Sequence, residues 1–444
     1  MPPKKRTYSF FIPYFLLLIL VTSCSIQKQI ARSANDNVLT NKALTSAHVG
    51  ISIYEPAANK YWFNYQGDKY FVPASNTKLP TCYAAMKYLG DSLVGLRYKL
   101  NNADIIIQGT GDPTFLNSEF KTQPVFDFIS KISSFGYVRF SASNWQEEHL
   151  GSGWSWNDYN EAYMAERSPF PIYGNVVKIY KKGNELRTSP SAFDSTLLIP
   201  LDLDPNYARI SRNLNENSFL ASNGKTKFRE TIIPFSTHGY ITSTLLLNDT
   251  LHPKTRIYWQ PEELISPSSL SVIHSQPTDS LLKPMMHRSD NFFAEQTLLM
   301  VSNERLGYMN DEKIIDTLLK TDFKDLPQKP RWVDGSGFSR YNLFTPQDLV
   351  AILNKMKNEF GMERIKVILP TGGEGTISSY YKSDSGYIYG KTGTLSGVVA
   401  FSGFLYTKKG KLLIFSTLAN NHQASATEVR RAIEKFLQGV RNSY

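Results

Sequence analysis

Apolar and polar side chains alternate from Val49 to Tyr54 and again from Lys60 to Gln66, with turn-forming residues between, which predicts a β-hairpin. Near the other end, Tyr387 to Tyr389, Val398 to Tyr406 and Leu412 to Leu418 read as three more strands of one antiparallel sheet. Gly393, Gly397 and Lys409-Gly410 read as the turn material between them. The last segment is helical: Val429, Ala432, Ile433, Phe436, Leu437 and Val440 fall on one face behind a Ser425-x-x-Glu428 capping box, a face suited to pack on that sheet. Asp290 to about Arg305 is mostly apolar and predicts a buried helix that ends before Gly307. Residues 97–270 are richer in Asn, Ser, Thr and Pro, with short strand-like runs such as Asp104 to Gln108 and Val177 to Tyr180. They read as a separate β-rich unit.

Composition fits this picture of a folded protein, with 41% apolar and 20% charged residues over 444 positions, enough for two or three domains. The excess of 49 Lys and Arg over 39 Asp and Glu is spread without a block of like charges, so a nucleic-acid partner is not expected. Cys24 and Cys82 are too few for a disulfide framework, and no C-x-x-C or H-E-x-x-H pattern occurs, so neither a metal nor another cofactor is expected.

The N-terminus has its own signal. Lys4, Lys5 and Arg6 precede an uncharged run from Phe10 to Val21 and small residues before Cys24, the layout of a signal peptide over residues 1–23. That run is about 12 residues, whereas a membrane-spanning helix needs about 20, so export is expected rather than a transmembrane anchor. Val21-Thr22-Ser23-Cys24 resembles a bacterial lipobox. A lipid on Cys24 would hold the exported chain to a membrane of the periplasm, the outer membrane being preferred, with a plain secreted protein as the alternative. Residues 24–46 then read as a polar tether, and Cys82 as a lone buried thiol.

Ser75-Asn76-Thr77-Lys78 has the form S-x-x-K, which on a helix starting there sets a hydroxyl and an amine one turn apart on one face. A serine hydroxyl is a weak nucleophile without a neighbouring base, and a desolvated lysine has the lowered pKa that role needs. The pattern recurs at Ser25, Ser118, Ser222, Ser280 and Ser379, so by itself it selects nothing. Pro80 falls in the second turn of such a helix, where it would bend the helix or delay its start. Two further elements single out Ser75. Ser289-Asp290-Asn291 precedes the buried helix, and Lys391-Thr392-Gly393 ends a strand.

S-x-x-K, S-D-N and K-T-G in this order are the signatures of penicillin-binding proteins and serine β-lactamases. Three collateral segments narrow the resemblance: Gly109-Thr110-Gly111-Asp112-Pro113-Thr114, Gly153-Trp154-Ser155-Trp156-Asn157-Asp158 and Asp334-Gly335-Ser336-Gly337-Phe338-Ser339-Arg340. With these the chain, from about residue 48 onward, resembles the class C low-molecular-mass penicillin-binding proteins, the D-alanyl-D-alanine carboxypeptidase/endopeptidase family also called peptidase family S13.

The resemblance implies an α+β, transpeptidase-like catalytic domain from residues 47–96 plus 271–444, an antiparallel sheet flanked by helices, interrupted by inserted β-rich domains over 97–270. It implies an exported serine peptidase that cuts peptidoglycan stem peptides and is acylated by β-lactams. Ser75 would be the nucleophile, Lys78 its general base and Ser289 a proton relay. Asn291 would hold a substrate amide, Lys391 and Thr392 of the Lys391-Thr392-Gly393 motif the terminal carboxylate, and the Ser75 and Thr394 N–H groups the oxyanion. Arg340 would lie near the substrate side-chain subsite, or else form a structural salt bridge. A serine β-lactamase and a non-catalytic peptidoglycan-binding or sensor protein are the rival readings. No serine has glycine at both −2 and +2, so a Ser-His-Asp hydrolase is unsupported. The Leu369 to Thr376 run lacks the G-K-[ST] ending of a phosphate loop. His287 reads as a packing or solvent-exposed residue rather than a catalytic one, and Trp154 and Trp156 as core or domain-interface aromatics, with carbohydrate stacking as the lesser alternative.

Overall fold

The computed structural model describes residues 26–101, 104–133, 137–183, 185–198, 210–221, 230–251, 257–259 and 269–443. The expected signal segment 1–23 and Cys24 lie outside the described residues. Residues 26–34 are helical (α1) and continue into a π-helical turn, Asn35–Leu39. This corrects the expected tether: Ile30, Ala34, Val38 and Leu44 are buried, and Ser33 Oγ donates to the Phe436 carbonyl at 3.2 Å. Polar composition hid a helical face, since Ile30, Ala34 and Val38 recur every four residues.

Strands β1 (His48–Glu55) and β2 (Lys60–Tyr65) form the expected antiparallel hairpin. A 3-10 turn, Ala74–Thr77, leads into helix α2 (Lys78–Tyr88). Strands β3 (Ser92–Asn101) and β4 (Asp104–Gly109), helix α3 (Pro124–Ile132) and strand β5 (Tyr137–Ser141) open the inserted unit. Two three-stranded sheets follow. One joins β6 (Val176–Lys182), β7 (Glu185–Ser189) and a later strand. The other joins β8 (Leu197–Leu198), β9 (Ile210–Arg212) and β10 (Phe219–Ala221), and β11 (Thr231–Pro234) completes the first. After helix α4 (Ile241–Leu251), β12 (Ile257–Trp259) and β13 (Ser271–Pro277) close a five-stranded sheet of order β12-β5-β4-β3-β13. Because β13 pairs with β3 from Ser271↔Tyr98 to Pro277↔Ser92, the border expected at 97 cuts through β3, and the one at 270 parts β13 from half of the strand it pairs with. Composition does not carry that long-range pairing.

The chain then returns to the first unit through helices α5 (Thr278–His287), α6 (Asn291–Leu306), α7 (Asp311–Lys320) and α8 (Pro346–Ile368). Asp290 caps α6 by accepting from the Phe293 N–H at 3.0 Å, and Gly307 ends it in the left-handed conformation. Strands β14 (Ile388–Leu395), β15 (Val398–Tyr406) and β16 (Leu412–Asn420) pair with the N-terminal hairpin in the order β14-β15-β16-β1-β2. Gly393 is not a turn residue, since it pairs with Ala400 inside β14. Helix α9 (Ala426–Ser443) starts at the expected capping box, with Ser425 Oγ and the Glu428 carboxylate exchanging hydrogen bonds with each other's backbone N–H.

The large sheet is covered on both faces, which its period of two makes possible. Val399, Phe401 and Leu405 pack with α1 and α9, whereas Ala400 and Phe404 pack with residues of α2, α6 and α8. The result is the expected α+β architecture of a sheet between helical layers.

Candidate active site

The Ala74–Thr77 turn is clamped from two sides. Asn76 Nδ2 donates to the Lys391 carbonyl at 2.9 Å, and a Cβ on Gly393 would sit 2.7 Å from the Pro73 carbonyl oxygen and 2.9 Å from the Ser75 nitrogen. Gly337, at φ +81°, comes in from the other side, where a Cβ would lie 1.8 Å from the Ala74 carbonyl oxygen. Only glycine fits at either place.

Lys78 is the first residue of α2 and is fully buried. Its Nζ donates to Ser75 Oγ at 3.1 Å, to Asn291 Oδ1 at 2.7 Å and to the Ser336 carbonyl at 2.8 Å. The α-helix therefore begins three residues after the nucleophile position, which puts Pro80 in the first turn, where proline is tolerated. Burial lowers the Lys78 pKa to about 8, against the opposing pull of Glu295, Asp334 and Asp290.

Ser289 stands just before the Asp290 cap with φ +64°, a conformation that costs a serine about 1–3 kcal/mol and that packing must hold. Its Oγ accepts from Lys391 Nζ at 2.8 Å. Lys391 is also fully buried and gives another hydrogen bond to the Thr392 carbonyl at 2.8 Å. Burial and the Lys78 charge hold its amine well below the usual lysine range. Asn291 Nδ2 donates to the Tyr163 carbonyl of the inserted unit at 3.2 Å. Thr392 Oγ1 is hydrogen-bonded to Thr376 Oγ1 at 2.7 Å.

A cleft of about 920 Å³ opens over these groups, lined by Ser75, Ser289, Asn291, Thr392, Thr394 and Arg340 among others. Arg340 donates to the Ser396 carbonyl at 2.8 Å and pairs with no carboxylate among the described residues. The structure thus brings together Ser75, Lys78, Ser289, Asn291, Lys391, Thr392, Gly393, Thr394 and Arg340. The Lys391 amine, however, is spent on Ser289 and the Thr392 carbonyl. Among the described residues no group of three or more His, Cys, Asp or Glu is placed to hold a metal ion.

Motif reading missed the layer beneath. The buried Asp334 carboxylate accepts from Gly337 N at 2.7 Å, Ser339 N at 2.6 Å, Asn342 Nδ2 at 2.8 Å and Trp154 Nε1 at 3.0 Å, fixing the turn whose Ser336 carbonyl meets Lys78. Glu295 Oε1 accepts from Ser336 N at 2.8 Å. Its carboxyl is pushed up by burial and by Asp334, and pulled back by Arg167. Arg167, from the inserted unit and 1% exposed, reaches Asp311 at 2.5 Å, Glu147 at 3.1 Å and Glu295 at 3.6 Å. The insertion is therefore wired into the site rather than separate from it. One signal was available: Glu295 lies four residues after Asn291, on the same face of α6. Trp154 is an interface aromatic as expected, packed edge-on to Phe338, but Trp156 is 75% exposed, a correction to its reading as a packing residue. Its neighbours Ser155 and Asn157 are exposed with it, so the apolar ring has no core to enter.

Known proteins share the sequence family and the fold of this chain. The family model described as the D-Ala-D-Ala carboxypeptidase 3 (S13) family matches residues 31–196 and 234–440. The chain is similar to the D-alanyl-D-alanine carboxypeptidase of Actinomadura sp. (strain R39), at 24% identity over 447 residues, 88% of this chain and 81% of the relative. It is also similar to D-alanyl-D-alanine carboxypeptidase DacB of Haemophilus influenzae, at 24% identity over 481 residues and 95% of each chain. The crystal structure of penicillin binding protein 4 (dacB) from Haemophilus influenzae superposes with a TM-score of 0.70 at 19% identity, over 92% of this chain and 97% of that one, which shows the same fold. With the family model spanning most of its length, this chain belongs to the D-Ala-D-Ala carboxypeptidase 3 (S13) family, a family of serine hydrolases.

Proposed function

We propose that the chain is a serine-type D-alanyl-D-alanine carboxypeptidase/endopeptidase that acts on peptidoglycan stem peptides through an acyl-enzyme on Ser75. The observation that carries this reading is the 3.1 Å hydrogen bond from a fully buried Lys78 amine to the half-buried Ser75 hydroxyl at the floor of the cleft. With its pKa lowered to about 8, roughly one-tenth of Lys78 is the free amine at pH 7, against about one part in 3,000 for an ordinary lysine.

In this mechanism neutral Lys78 takes the Ser75 proton as Oγ attacks the carbonyl carbon of the penultimate D-alanine. The oxyanion is received by the Ser75 and Thr394 N–H groups, which the close approach of Gly393 brings near one another. Ser289 Oγ, held by Lys391, relays the proton taken up by Lys78 to the leaving nitrogen. The C–N bond breaks, and D-alanine or a crosslinked amine departs. Asn291 holds a substrate amide. Water then hydrolyses the ester and restores Ser75. In a β-lactam the cleaved amide lies in a ring, so the leaving nitrogen stays attached and the adduct persists. The H. influenzae penicillin binding protein 4, also solved in complex with a β-lactam, supports this part of the reading.

Peptidoglycan lies outside the cytoplasm, so the proposal places the chain there, anchored by a lipid on Cys24. Because α1 is packed from residue 26 on, that lipid would hold the globule close to the membrane surface. A Cys24→Ser variant that stayed in the membrane fraction would remove the anchor from the proposal.

The test of the activity is release of D-alanine from a stem pentapeptide and cleavage of crosslinked muropeptides, followed by chromatography beside Ser75→Ala. Activity in the parent and its loss in the variant is expected. A parent that is inactive on both substrates, or a variant as active as the parent, would end the proposal.

A further inference from the structure

The K-T-G signature supplies a cation that is commonly given the substrate's terminal carboxylate, yet here that cation is committed elsewhere. Lys391 is fully buried, its amine donates to Ser289 Oγ and to the Thr392 carbonyl, and burial beside Lys78 holds it well below its usual pKa. A buried amine that leans toward neutrality is a poor counter-ion for a carboxylate. The cleft lining carries hydroxyls, from Thr376, Thr392 and Thr394, and two guanidiniums, those of Arg340 and Arg430. Arg340 is tied to the Ser396 carbonyl two residues further along the chain, whereas Arg430 is bonded to the Thr394 hydroxyl beside the K-T-G motif.

Arg430 stands in the first turns of α9, partly exposed. One of its N–H groups donates to Thr394 Oγ1 at 2.6 Å, which fixes the guanidinium against the β14 edge of the cleft. Among the described residues no carboxylate pairs with it, whereas its neighbour Arg431 is matched to Glu434 at 2.5 Å. A fixed guanidinium with free donors and no acidic partner, opening on a cleft, suits a planar anion. Its partner Thr394 directly follows Gly393, where a Cβ would sit 2.9 Å from the nucleophile's backbone nitrogen. In a peptide acylating Ser75, the carboxylate of the departing residue is three bonds from the reacting carbonyl carbon, so it falls about one residue along this strand.

We infer that Arg430, oriented by Thr394, is the residue that recognises the α-carboxylate of the departing D-amino acid, with the Thr392 and Thr394 hydroxyls as auxiliary donors. This rests on the proposed function and adds to it a specificity residue from the C-terminal helix, outside all three signature motifs. It makes the enzyme selective for peptides whose departing residue keeps a free carboxylate beside the scissile amide.

The test compares two peptides that differ in one group, an N-acylated tripeptide ending in D-Ala-D-Ala and its C-terminal carboxamide. Release of the last residue is followed with the parent, Arg430→Gln and Arg430→Lys, and thermal melting checks that each variant is folded. The parent should prefer the carboxylate. Arg430→Gln should lose about 10- to 100-fold in kcat/KM on the carboxylate, mostly through KM, and change little on the carboxamide, so that discrimination collapses. Arg430→Lys should recover part of it. Discrimination retained in Arg430→Gln, or an equal loss on both peptides, would overturn the inference while leaving the activity assigned. A parent that turned over neither peptide would overturn the proposed function and this inference with it.

Discussion

Glu295→Gln is the most informative single change, because it alters the charge facing Lys78 while keeping an oxygen for the Ser336 N–H. Lys78 reaches the Ser336 carbonyl and Glu295 reaches the Ser336 nitrogen, each at 2.8 Å, so one residue separates the two charges. At roughly 7 Å and an effective dielectric of about 20 a full carboxylate charge would stabilise the ammonium by about 2 kcal/mol. Arg167, Asp311 and Asp334 share this pocket, and the raised Glu295 pKa leaves part of the carboxyl protonated, which reduces the effect to about 1 pH unit. The sign follows from the roles. Glu295 favours charged Lys78, only the neutral amine accepts the Ser75 proton, and removing the carboxylate lowers the Lys78 pKa. The rate of acylation by a chromogenic β-lactam, measured from pH 5.5 to 9.5 by stopped flow, should rise with a midpoint near pH 8 in the parent, since Lys78 titrates at about 8. In Glu295→Gln the midpoint should move down by about one unit. A midpoint that stayed in place or moved up would refute the idea that Glu295 governs the base.

Other expectations follow from packing and linkage. Gly393→Ala should lower acylation about 100-fold or more, because its Cβ would sit 2.9 Å from the Ser75 nitrogen and disturb the oxyanion donors; near-normal acylation rates would dismiss that clamp. Ile30→Ala should destabilise the fold by about 2–5 kcal/mol in urea titration, whereas a free tether at residue 30 would give no change. Lys78, with a folded pKa of about 8 and an ordinary value near 10.5 when unfolded, binds fewer protons in the folded state between those pH values. Parent stability should therefore rise relative to Lys78→Met from pH 8 to pH 10.5, by up to about 3 kcal/mol, and a flat difference would contradict full burial of the amine.

The parts of the fold visible in the sequence were those where one element declares itself through its own period. The hairpin, the α6 helix with its Asp290 and Gly307 ends, and α9 behind its capping box all emerge with close to the expected borders. What was hidden depended on partners distant in the chain. The polar-looking segment before β1 is a helix because Ile30, Ala34 and Val38 find α9, some 400 residues away. Gly393 resembles a turn residue locally, but its place is inside a strand pressed against the Ser75 turn.

The site divides along the same line. Ser75, Lys78, Ser289, Asn291 and Lys391 are visible because proton transfer between hydroxyls and amines needs those residue types; the first two motifs sit at helix starts and the third inside β14. Asp334 lies in a matched segment and Glu295 four residues after Asn291, yet their roles and that of Arg167 are hidden, because the role of a buried carboxylate or guanidinium appears only when its hydrogen-bond partners are known. Trp156 shows the reverse error, an aromatic assigned to packing by type and found 75% exposed.

Peptide mapping by mass spectrometry after brief incubation with benzylpenicillin addresses the role of Ser75 without intermediaries. A single adduct of the intact drug mass is expected on the peptide holding Ser75, absent from Ser75→Ala and strongly delayed in Lys78→Met. An unmodified Ser75, or an adduct on another serine, would mean that the buried amine at 3.1 Å does not activate this hydroxyl.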